Sequence, residues 1–315
     1  MTKHYLLSSL AAMLLALPMQ AQSGKQITSI THEDRNDKEE STFTYDASGR
    51  IIAAHTISTS GGDDPMDFAS TFSYDDAAQT ISSHTVISCY GEQIIEDAVG
   101  TLSNGHISKI VIDDLEPGGS VAGAIFEVSY DGDGHAIKTE SKLTTPGEEF
   151  LRTESILLWQ DGNLVNVTTN DNDIQEGVST TVTRIHYDTA KPAPKNPIVA
   201  YMLMDLPMDV SSMQVLLPML PYMGFTPRNL ATGWDDGEDQ VSAAYEYDGD
   251  GDISRIEVFT NQDKSDTYIF GHGYSGISNV HADQPDDAYY SLQGHKVNHP
   301  KRGIYVRSGR KVVVR

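Results

Sequence analysis

Apolar and polar residues alternate along most of this chain, and a recurrent turn punctuates the alternation. In Phe43-Thr-Tyr45-Asp46-Ala-Ser-Gly49-Arg50-Ile51 an apolar residue sits two places before a tyrosine with a polar residue between them. That is the period of a strand with one buried face. The pattern returns as Phe72-Ser-Tyr74-Asp75, Val128-Ser-Tyr130-Asp131, Ile185-His-Tyr187-Asp188 and Tyr245-Glu-Tyr247-Asp248. The aspartate suits a turn because its carboxylate can accept backbone N–H groups two residues on, and Gly49, Gly134 or Gly251 can supply the positive φ. Ile51, Ile81, Ile137 and Ile253 are then expected to open the returning strands. Asn104-Gly105 and Asp161-Gly162 predict two further tight hairpins. The longer polar connections Ser60–Pro65 and Pro117–Ser120 fall on the opposite side of the meander.

The predicted fold is all-β: an antiparallel hairpin meander of about 14 to 16 strands, forming a strongly curved sheet or barrel. It occupies residues 22–271, with strands from 26 onward and an insert at 191–229. The insert begins at Lys191-Pro-Ala-Pro-Lys-Asn-Pro197 and holds six of the ten methionines. From Asp209, a suitable N-cap, to Pro218, the residues Val210, Met213, Leu216 and Leu217 share one helical face, so a short helix is expected there. Two uses of this apolar segment are open. It can plug the end of the curved sheet, or Met202, Met204, Met208, Met213, Leu216, Leu217 and Tyr222 can line a pocket for a lipid or other apolar ligand, as adaptable thioethers do elsewhere.

Charge and the chain ends add an itinerary. Residues 1–21 have the layout of a secretory signal, with Lys3, an apolar run from Tyr5 to Leu17, and Ala21 at the expected cleavage site. The run is shorter than the ~20 residues that span a bilayer. No cysteine lies there for lipidation, and Cys89, the one cysteine, cannot form an internal disulfide. A formal charge of −23 argues against nucleic acid as a partner. After a polar link at 272–287, residues 288–315 contain no acidic residue and seven of the 22 basic ones, which marks a separate small β-module.

Tyr45-Asp46-Ala-Ser-Gly49-Arg50-Ile51 resembles the YD hairpins of RHS and wall-associated bacterial proteins. The order of signal segment, YD hairpins, Pro-interrupted insert, Arg228-Asn229-Leu230 and a last Tyr-Asp hairpin is similar to an exported Bacteroidota family known as domain of unknown function 4595. That resemblance covers roughly residues 30–271 and implies a porin-like fold with no known activity. The ending Tyr290-Ser-Leu-Gln-Gly294-His-Lys-Val297, Gly303-Ile-Tyr305-Val and Gly309-Arg-Lys-Val-Val-Val-Arg315 resembles the sorting domains of type IX (Por) secretion substrates, though it is shorter. The resemblance implies secretion machinery as a partner.

The residues themselves offer little chemistry. Asp248-Gly-Asp250-Gly-Asp252 opens like a calcium loop, but Ile253 and Phe259 stand where glycine and a bidentate glutamate are needed. Asp131-Gly-Asp133-Gly departs sooner, and a hairpin turn is the favoured reading of both. The 11 histidines show no H-x-H or H-E-x-x-H spacing, and Gly273-Tyr-Ser275-Gly276 is not a nucleophile elbow. Cys89 reads as a small core residue, and Asp188-Thr189-Ala190 as a loop that also matches a short O-glycosylation acceptor. No cofactor, metal or catalytic residue is expected. The sequence favours an exported, non-catalytic binding protein of the periplasm, cell surface or medium, and a water-facing barrel over a membrane-spanning one. Its ligand would be an envelope component, glycan or lipid. A lipid carrier and a glycan-active enzyme with paired carboxylates are the alternatives.

Overall fold

A computed structural model describes residues 25–60, 65–113, 123–145, 148–173, 177–196, 198–199 and 216–274, and beyond them the backbone of four short strands. Sixteen antiparallel strands form a closed barrel in sequence order, with the first strand paired to the last. They are β1 (Lys25–Glu33), β2 (Asp37–Tyr45), β3 (Ile51–Ser60), β4 (Met66–Asp75), β5 (Thr80–Cys89), β6 (Glu92–Ser103), β7 (His106–Asp113) and β8 (Gly123–Tyr130). The ring continues with β9 (Ala136–Thr145), β10 (Glu148–Gln160), β11 (Asn163–Asp173), β12 (Gly177–Pro192), β13 (Asn229–Asp235), β14 (Gln240–Tyr247), β15 (Ile253–Thr260) and β16 (Asp263–Tyr274). The segment Gly276–Arg315 is a second compact unit. It holds β17 (Tyr289–Tyr290), β18 (Lys296–Val297), β19 (Gly303–Arg307) and β20 (Arg310–Val314) in the order β18-β17-β19-β20.

The alternation behaves as a one-face code. On β8, Ala124, Phe126 and Val128 join the interior core while Glu127 points to the other face. Ile51, Ile81 and Ile253 open their strands as buried core residues, as their position predicts. Ile137 does not: it is outward and exposed, and Ala136 is buried opposite Tyr130. The reason is spacing. Tyr45 pairs Ile51 and Tyr247 pairs Ile253, each six residues on, and the sixth residue after Tyr130 is Ala136.

Only part of the insert can be described. Ile198, Val199, Leu216, Leu217, Met219, Leu220, Met223 and Phe225 are buried in one cluster with the inward faces of the strands. The helix expected over Asp209–Pro218 falls mainly outside the described residues. From Leu216 to Phe225 the chain makes one 3-10 turn, Leu220–Tyr222, with a proline in its first turn. The signal segment and most of the 272–287 link also lie outside the described residues.

Candidate functional site

At one rim the even-numbered strands end and the odd-numbered ones begin, and an aromatic ladder runs around its inside. Tyr45 Oη donates to the Ile27 carbonyl at 2.6 Å, Tyr74 to Ile51 at 2.9 Å, Tyr130 to Ile107 at 2.5 Å and Tyr187 to Leu164 at 2.8 Å. Trp159 Nε1 donates to the Ala136 carbonyl at 2.6 Å, and Tyr245 donates to Ala231. Each bond joins the end of an even strand to the start of the odd strand before it, so consecutive hairpins are stapled together. Burial pushes the phenols of Tyr45, Tyr74, Tyr130, Tyr187 and Tyr245 up, so they remain donors. In the fifth copy the stapling residue is Tyr245. Tyr247 stands one inward position further on, past the rim, and is 44% exposed.

At three of these hairpins the aspartate builds the turn in the way its sequence predicts. Asp46 Oδ1 accepts from the N–H groups of Ser48 and Arg50, Asp131 Oδ1 from Asp133 and His135, and Asp248 Oδ1 from Asp250 and Asp252. The second oxygen faces a nitrogen-bearing side chain: Arg50 Nε at 2.9 Å from Asp46, His135 Nδ1 at 3.2 Å from Asp131, and Lys25 Nζ beside Asp248. Lys25 also lies 2.7 Å from Asp250 and 3.8 Å from Asp252, so an ammonium from the first strand occupies the calcium-like loop. It holds the Asp248 carboxyl down at about 2. Asp131, Asp133 and His135 bring one ligand atom each within 4.8 Å of one another, with the His135 ring stacked on Trp159 at 4.4 Å. Backbone N–H groups, above all that of His135, keep Asp131 below the usual carboxylate range.

The insert closes this rim. Met219 packs so tightly on β6 that a Cβ at Gly100 would lie 2.9 Å from its Sδ. Gly224, at φ +67°, lies against the β8–β9 turn, where a Cβ would meet the Gly134 carbonyl at 2.5 Å, and its own carbonyl accepts from Ala136 N–H. Arg228 N–H donates to the Gly162 carbonyl at 2.7 Å. Asn163 and Asn229 exchange two hydrogen bonds across the base of the insert.

Beyond the apolar layer the inner wall turns to hydroxyls. Thr56, Ser70, Thr85, Thr139, Ser155 and Thr169 are buried, and pairs such as Ser70 with Thr85 at 2.9 Å and Ser155 with Thr169 at 3.1 Å satisfy each other across strands. Among the described residues, this hydroxyl-lined stretch of the inner wall is shielded from solvent.

The opposite mouth is charged. His32 pairs Tyr268, which pairs the core residue Ile256, and His32 also pairs Glu39, so all three side chains point inward. The His32 ring stacks on Tyr268 at 4.5 Å and 9°, and its Nε2 is 2.9 Å from Asp266 Oδ1. Glu39, with an oxygen 3.9 Å from Nδ1, and the hydrogen-bonded Asp266 favour the imidazolium and lift it to about 8, against the effect of burial. Here the side chains of His32, Glu39 and Asp266 are 24%, 40% and 26% exposed.

Leu216 and Leu217 are core residues and Tyr222 is half-buried, its carbonyl 3.5 Å from the Tyr130 hydroxyl; Met202, Met204, Met208 and Met213 lie outside the described residues. Cys89 is a free thiol at the end of β5, and Thr189 is exposed beside Asp188, whose carboxylate caps Ala190 N–H. The mouth cluster was not legible beforehand, because His32, Glu39 and Asp266 come together only when the last strand meets the first. The ladder had a signal: Tyr45, Tyr74, Leu102, Tyr130, Trp159 and Tyr187 recur every 28 or 29 residues, with Leu102 and Trp159 in place of tyrosine.

No protein-family model matches the chain, and no curated protein matches it. Solved structures do. A porin-like protein from Bacteroides vulgatus superposes with a TM-score of 0.56 at 17% identity over 81% of this chain and 100% of its own. A porin-like protein from Bacteroides uniformis gives 0.50 at 13% identity, over 78% and 96%. At these identities the likeness is one of fold.

Proposed function

We propose that this chain is an exported, non-catalytic binding protein of the cell envelope that takes its ligand at the charged mouth. The observation that carries the reading is the contrast along the barrel axis: apolar closure at one rim, and accessible His32, Glu39, Asp266 and Tyr268 at the other. Two carboxylates around one imidazolium leave a net acidic surface with an aromatic ring beside it, suited to a ligand carrying cationic or hydrogen-bond-donating groups. Leu216 and Leu217 are spent on the core, which weighs against a pocket for an apolar ligand around them. The leader-like residues 1–21 support export, and 288–315 would serve as a handling module.

The test is capture from an envelope glycan and cationic-peptide panel, read by calorimetry for the wild type, Glu39→Gln and Asp266→Asn. Binding that weakens at least tenfold in both variants supports the mouth. Binding indifferent to both, or turnover of a bound glycan, overturns the reading.

A further inference from the structure

The fold likeness to porin-like proteins raises the question of what the outer wall touches, and the register answers it row by row. Residues paired across neighbouring strands share a face, so the outward rows can be followed around the ring. One runs Lys109, Glu127, Glu140, Glu154 and Asn170 across β7 to β11. Another runs Thr44, Ala53, Thr71, His84, Asp97 and Asp113 across β2 to β7. A third follows β14 to β4 through the seam: Glu246, Arg255, Ile269, Thr31, Glu40, Ile57 and Asp67.

The same holds along the strands. An outer-membrane barrel needs an apolar band of roughly 25 Å, about four or five successive outward positions on every strand, flanked by aromatic girdles. Here β9 presents Lys138, Glu140 and Lys142 in succession, and β4 presents Asp67, Ala69, Thr71, Ser73 and Asp75. The charges are paired on this face: Lys138 with Glu140 at 2.8 Å, Lys142 with Glu127 at 2.5 Å, Arg184 with Asp235 at 3.1 Å, and Lys264 with Glu257 at 2.9 Å. Apolar side chains do stand on this wall: Val99, Val111 and Ile125 pair across β6 to β8, and Ile95, Ile156 and Leu158 are exposed, but the rows on either side of the Val99 row carry Asp97 with Asp113 and Lys109 with Glu127.

We infer that the outer wall of this sixteen-stranded barrel is a water-facing surface around its whole girth, and that the barrel works in an aqueous compartment rather than as a bilayer-spanning pore. The inference rests on the wall alone and is independent of what the mouth binds.

It is tested on the full chain in a Cys89→Ser background carrying a single outward cysteine, Thr71→Cys on β4 or Thr168→Cys on β11, labelled with a polarity-sensitive dye. With the cell-envelope fraction, and after addition of phosphatidylethanolamine–phosphatidylglycerol vesicles, both sites should keep a water-like emission maximum. They should be quenched by aqueous iodide and ignored by brominated-chain lipid. A blue shift with brominated-lipid quenching at both sites overturns the inference. The unlabelled wild type gives a second measure: recovery by osmotic lysis as a detergent-free, β-rich particle supports it, and extraction from membranes only by detergent, with stepwise conductance in planar bilayers, overturns it.

Discussion

The two ends of this barrel solve opposite problems with the same strands. At the stapled rim a wide ring must be filled, and leucine, methionine and phenylalanine from the insert fill it against Gly100 and Ala136, positions small enough to let the insert approach. At the mouth the same ring carries His32, Glu39 and Asp266, and stability there rests on a few charged contacts that water can reach. The difference teaches where tolerance lies: the closed end should be sensitive to volume, and the open end to charge and pH.

The sharpest break in that comparison is Leu216→Ala. The side chain is wholly buried, and its truncation should cost about 2–5 kcal/mol in urea unfolding. Next comes Tyr130→Phe, which leaves the Ile107 carbonyl without its staple and should cost about 1–3 kcal/mol. Tyr247→Phe, past the rim and exposed, should stay within about 0.5 kcal/mol; equal losses would remove the ladder's special role.

At the mouth the handle is pH. The folded-state pKa of His32 is raised from 6.5 to about 8, so its contribution is fully present below 6.5 and is lost as pH rises through 8. The contribution is at most ~2 kcal/mol, and His32→Gln should flatten the alkaline fall in melting temperature between pH 6.5 and 8.5. The smallest effect belongs to Lys25→Met. At pH 7 its melting temperature should fall by no more than ~2 °C, because exposed pairs are weak. Asp248 works in the opposite sense to His32: its pKa is depressed from 3.8 to about 2, so its contribution is present above 3.8 and disappears as pH falls through 2. The variant should lose the share of that acid-side dependence that Lys25 supplies, and keep the share owed to the Asp250 and Asp252 N–H groups.

The wall of the barrel was legible in the sequence because alternation with period two and Asp-Gly turns are local signals, and Phe126, Val128 and Ile51 declare their face unaided. Ile137 misled because the turn before it decides which residue pairs Tyr130, and one residue of offset reverses a face. Tyr245 and Tyr247 were indistinguishable for a related reason, since both have inward parity and only the height of the rim separates them. The staples were hidden because a phenol's partner is a backbone carbonyl 23 residues away, with no residue type to announce it. His32 was hidden more deeply: its partner Asp266 lies at the other end of the chain.

The seam between β1 and β16 also has a kinetic side. Every staple and hairpin is made within a few tens of residues, so the sheet can grow from either end by local steps, whereas the seam joins Lys25 to Tyr274 and needs both ends of the sheet at once. Contacts of such separation are slow to find, so ring closure is expected as the last event in folding. Until it occurs, β1 and β16 are bare edges that a second molecule can extend instead. The yield of folded barrel is therefore set by a race between a first-order closure and a second-order encounter, and dilution should favour the ring.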